Sequence, residues 1–130
     1  MIRAAFLSFA MATPVLALPP LSDVAEINDG LRSVKIADEI RSHCGSISAR
    51  MLVAWSTLDG LKRRARNLGY SAEQIEDFVK SKADRKRLEG EADAYMAARG
   101  VTRGDDQSYC ALGRAEIQSG TPIGALLRER

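Results

Sequence analysis

Between Val24 and Leu127 the apolar residues recur at three- and four-residue steps, and nowhere do β-branched and aromatic residues alternate with polar ones over a strand's length. Apolar rows of that period give a helix one face to bury, whereas a half-buried strand needs a period of two. The expectation is an all-α fold, a compact bundle of about five helices.

The rows place the elements. A first helix is expected from Ser22 or Asp23, where Asp23 and Glu26 have the spacing of a capping box, to about His43. Val24, Ile27, Leu31 and Val34 form one row and Ile36, Ile40 and Cys44 another, while Gly30 predicts a bend near 28–30. The second helix is expected over 47–67, with Ile47, Met51, Ala54, Trp55, Leu58, Leu61, Ala65 and Leu68 on its buried face. That row is the longest in the chain, so this helix is expected at the centre, with Asp59 and Arg63 opposite and Gly69 as its stop.

Ser71 as N-cap, Gln74 three residues on, and Tyr70 placed against Ile75 spell a helix start with its hydrophobic staple. Ile75, Phe78 and Val79 face the core, and Leu88, Ala92, Tyr95 and Met96 resume the row as far as Gly100. No Gly or Pro decides whether 71–99 is one helix or two with a turn near Ser81 to Asp84. Asp105 or Asp106 then caps a helix carrying Tyr109, Cys110, Leu112 and Ile117 up to Gly120. Thr121 and Pro122 open a short last helix with Ile123, Leu126 and Leu127 on its apolar side.

The first residues have the layout of a secretory leader: Arg3, an apolar run from Ala4 to about Ala12, Pro14, and small residues at Val15 and Ala17. The expectation is cleavage after Ala17, leaving 18–130 as a single helical domain of about 113 residues, enough for a modest core. The apolar run is well short of the roughly 20 residues a spanning helix needs. No cysteine follows it for lipid attachment and no Arg-Arg pair precedes it, so the expected address is the periplasm, by the general secretory route.

An exported chain with two cysteines points to a disulfide, Cys44 to Cys110. Closing a loop of about 67 residues is worth roughly 4 kcal/mol in the chain-entropy account. A catalytic redox pair would want its cysteines close in sequence, which these are not. A copper or zinc site would have to draw on His43, Cys44, Cys110 and Met51, but adjacent residues such as His43 and Cys44 diverge by about 100° on a helix.

With the leader's Arg3 removed, the formal charge of +2 falls to near +1, which together with export argues against a nucleic-acid partner. Charge is local: Lys62, Arg63, Arg64 and Arg66, and the run from Lys80 to Arg87. Such clusters suit an acidic protein face or anionic lipid headgroups, or simply keep a helix soluble, as the interleaved Asp77, Asp84, Glu89 and Glu91 suggest. With one histidine there is no zinc triad, and no G-x-S-x-G elbow, phosphate loop or haem attachment is present. Glu89, Glu91 and Asp93 lie in a charged helix where solvation explains them. The chain is expected not to be an enzyme and to bind no cofactor or metal.

The segments SYCALGRAEIQSGTPIGALLR and IRSHCGSISARM, with the leader, resemble a small family of uncharacterised exported proteins of alphaproteobacteria. Members of that family are associated with the genes of the respiratory NADH-quinone oxidoreductase. The resemblance implies a periplasmic accessory or assembly subunit, docked on an inner-membrane complex, and carries no catalytic residues across. The contacts expected for such docking are Lys62, Arg63, Arg64 and Arg66, with Leu126, Leu127 and Arg128 of the tail. The alternative is a free periplasmic protein that binds a small ligand or a metal.

Overall fold

In the computed structural model, residues 17–130 are described; the leader expected over 1–17 lies outside them except for Ala17. Five α-helices account for most of these residues: α1 (Ala25–His43), α2 (Met51–Asn67), α3 (Ala72–Lys80), α4 (Lys82–Ala98) and α5 (Asp106–Ser119). A helical bundle was the expectation, and it is what forms. Two short strands, β1 (Ile47–Ala49) and β2 (Leu127–Glu129), and 3-10 turns at Leu21–Asp23 and Gly124–Leu126 complete it.

The centre is α1, against which α2, α4, α5 and β1 all pack. Its buried side, Ile36, Ala37, Ile40 and then Cys44, meets Ala92 and Met96 of α4, Tyr109, Cys110 and Leu112 of α5, and Ile123, Leu126 and Leu127 of the tail. A second apolar cluster joins Leu21 and Ile27 to Ala65, Tyr70 and Ile75, so that α2 and α3 close over the start of α1. The Cys44–Cys110 disulfide forms, with Cα atoms 5.2 Å apart, and bolts the end of α1 to α5. No helix of the described residues is long and apolar enough to cross a membrane.

Several local expectations are corrected. Asp23 does not cap α1. The cap position is Val24, and the buried Asn28 carries the junction instead, its amide donating to the carbonyls of Leu21 and Val24 at 2.8 Å each. Gly30 introduces no break, since α1 runs through it. A Cβ there would meet the Leu61 side chain at 2.7 Å, so the glycine lets α2 approach α1 closely.

Nor does α2 begin at Ile47. Ile47 lies in β1, paired antiparallel with Glu129, and the Arg50 N–H donates to Leu126 at 2.8 Å. The same pairing stops the tail from forming its expected helix, because one 3-10 turn at Gly124–Leu126 is followed by extended Leu127. The open question at Ser81 resolves as two helices. Ser71 and Gln74 complete the capping box of α3, and Ser81 both ends α3 and caps α4 by accepting from the Asp84 N–H at 3.2 Å.

Candidate functional site

One face of the N-terminal half of α2 points away from the core, although Val53 and Ala54 pack against it. Met51, Leu52 and Trp55 are 57%, 87% and 73% exposed, and Leu58 is also exposed. Ile47, in β1, is buried, and of the row's members on α2 only Ala54, Leu61, Ala65 and Leu68 turn inward. Large apolar side chains held in water forgo about 25 cal/mol for each Å² left unburied, and a patch of this kind marks a contact surface.

The patch borders a hollow. Leu31, Val34 and Ala37 of α1 form its floor, which continues past Lys35 and Asp38 to Arg41; Met51, Ala54, Trp55 and Leu58 of α2 form one wall, and Arg85, Leu88 and Glu89 of α4 the other, enclosing about 430 Å³. Helices α1 and α2 run antiparallel, as the Gly30–Leu61 contact and the Glu26–Arg64 ion pair show. Helix α4 runs parallel to α1, since Arg87 donates to Asn28 and Arg32 pairs with Glu91 one turn on. The three helices therefore form a trough whose floor from Leu31 to Arg41 is about 15 Å long at 1.5 Å per residue.

The charged residues singled out in the sequence lie on the far half of α2. Lys62, Arg63, Arg64 and Arg66 are all exposed, with Arg64 2.9 Å from Glu26 and Arg63 3.6 Å from Asp59. Leu126 and Leu127 are each 3% exposed and belong to the core, so only Arg128 of the proposed tail contacts reaches the surface. Positions 51, 55, 58, 62 and 66 are spaced by three or four, so Met51, Trp55, Leu58, Lys62 and Arg66 share one helix face. That spacing was the available signal: a face that ends in Lys62 and Arg66 is poorly suited to burial along its whole length.

Two polar clusters lie elsewhere. His43 stacks on Tyr109 with ring centroids 4.3 Å apart and stands 3.5 Å from Glu39 and 3.8 Å from Asp106. Both cysteines beside it are oxidised to the disulfide and have no thiolate to offer a metal. Among the described residues no group of three His, Cys, Asp or Glu side chains converges on a point.

The buried Glu116 of α5 accepts from Tyr95 Oη at 2.6 Å and from Thr121 Oγ1, tying α4 and the C-terminal turn to α5. Burial, and then the bond to Glu116, push the Tyr95 phenol above its ordinary value. The Arg99 guanidinium covers the Tyr95 ring at 3.4 Å. Every partner of Glu116 is accounted for inside the fold, which makes this cluster a brace and leaves the trough as the candidate site.

No curated protein and no solved structure matches the chain significantly. Residues 19–128, a span that includes every helix of the trough, match the sequence profile of one family, and the chain thus belongs to the family of unknown function DUF5333.

Proposed function

We propose that this is a non-catalytic interaction protein of the periplasm that docks through the outward face of α2 onto the periplasmic side of an inner-membrane complex. The single observation behind this reading is the apolar face at Met51, Leu52, Trp55 and Leu58, exposed beside an apolar trough. Burial of that face on a partner offsets the free energy it forgoes in the isolated chain. The address rests on the secretory-leader pattern of the first 17 residues.

The finer assignment, an accessory or assembly subunit of the respiratory NADH-quinone oxidoreductase, rests on the resemblance of the two cysteine-bearing segments. The test is gentle fractionation of native cells, crosslinking, and native gel electrophoresis with mass spectrometry. The reading expects the processed protein to migrate with a large inner-membrane assembly and names NADH-quinone oxidoreductase subunits as its neighbours. Migration with a different assembly removes the finer assignment, and a free monomer in the periplasmic extract removes the docking reading.

A further inference from the structure

We propose that the trough receives an amphipathic helix of the partner whose apolar face is followed, one or two turns on, by acidic residues. This rests on the docking reading above and adds to it the shape and charge of what docks.

Shape comes first. The wall residues Met51, Trp55 and Leu58 are spaced like the anchors of a helix-packing face, and they stand opposite Leu88 across a floor of Leu31 and Val34. A helix is about 10 Å across with its side chains and fits between two such ridges, and a floor about 15 Å long matches three of its turns. The plane of a bilayer can rest on the ridges but cannot fill the hollow between them. Helix-in-groove recognition uses this arrangement, with apolar anchors three and four residues apart.

Charge sets the second half of the proposal. Beyond Leu58 the same face of α2 continues into Lys62 and Arg66, both exposed. The nearest acid on this part of the helix, Asp59, stands 3.6 Å from Arg63. At the trough's other end Arg41 is already bound to Asp38 at 2.6 Å, whereas Lys62 and Arg66 make no ion pair among the described residues. The Lys62 end therefore selects an occupant whose apolar stripe runs into carboxylates and disfavours one that runs into Lys or Arg.

Trp55 is the only tryptophan of the chain and sits in the trough wall, so its emission reports entry directly. The processed protein is titrated with two blocked helical peptides of about 18 residues, long enough to hold a helix. Both carry leucines at three- and four-residue steps, and on the same face of the final turns one carries Glu and the other Lys. Vesicles of phosphatidylglycerol and of phosphatidylcholine are titrated in parallel.

The expected result is a blue shift of Trp55 with the Glu peptide, which binds roughly tenfold more tightly than the Lys peptide at low salt, as two exposed ion pairs allow. The double variant Lys62→Glu, Arg66→Glu should reverse that order. Equal binding of the two peptides, a shift with anionic vesicles alone, a shift from self-association on concentrating the protein, or no shift at all overturns the proposal. If the peptides fail while the protein still migrates with its membrane assembly, only the helix-in-trough inference falls. If that migration is itself absent, the docking reading falls with it.

Discussion

Glu116 shows how one side chain can hold three segments without any catalytic task. At 4% exposure its carboxylate depends on donated hydrogens, and Tyr95 and Thr121 supply them. Tyr95→Phe removes one donor and leaves a buried oxygen short, so it should cost about 1–3 kcal/mol in urea unfolding. The same contact makes stability depend on alkaline pH. Burial first, and Glu116 second, raise the Tyr95 phenol, so the folded chain keeps a proton that the unfolded chain releases near the ordinary value of about 10.

The sign follows from linkage. This contribution is fully present below the unfolded value and is lost as pH rises through the folded one. Lys35, whose ammonium is held above its ordinary value mainly by its bond to Glu39, acts in the same direction. Urea midpoints measured from about pH 8 to 11 should fall, and fall less in Tyr95→Phe, which removes the Tyr95 share. Equal slopes in the two proteins would contradict this account of Tyr95.

At the scale of elements, α2 divides what its sequence states clearly from what it hides. The helix, its stop at Gly69 and the next start at Ser71 are legible because each is written in local chemistry: apolar spacing, a positive-φ glycine and a reciprocal cap. Ser71→Ala should therefore cost about 1 kcal/mol, read as a drop in thermal midpoint. The direction α2 faces is not local. It depends on α1 offering Gly30 to Leu61, which rotates Ala54, Leu61 and Ala65 inward and Met51 and Trp55 outward.

The strand at Ile47 escaped for the same kind of reason, since its partner Leu127–Glu129 lies about 80 residues away and three-residue strands carry no readable alternation. Half of the candidate site was thus visible as the basic cluster, and its apolar half was read as core. Because Leu52 and Trp55 contribute little to the isolated fold, Leu52→Ser and Trp55→Ser should each change unfolding free energy by no more than about 0.5 kcal/mol. A loss of several kcal/mol in either would show that the face is structural after all.

Over the whole molecule, the disulfide ties α5 to the end of α1, and a close backbone contact ties the tail to α5. The disulfide closes a sequence separation of 66, and replacing both cysteines by alanine should lower stability by roughly 4 kcal/mol. The second tie is steric. A Cβ on Gly124 would collide with the backbone carbonyl of Glu116, which cannot move aside as a side chain can, so Gly124→Ala should cost about 3 kcal/mol. Both changes loosen the scaffold that positions α1, the floor of the trough, while leaving the surface of α2 unaltered.

The most direct measurement compares the Leu52→Ser, Trp55→Ser double variant with the native sequence in cells, scoring comigration with the inner-membrane assembly on native gels beside the thermal midpoint of each purified protein. The account predicts an unchanged midpoint and a loss of comigration, because the variant removes apolar surface that the fold leaves exposed. Comigration undiminished at an unchanged midpoint would contradict it and show that this face of α2 docks nothing.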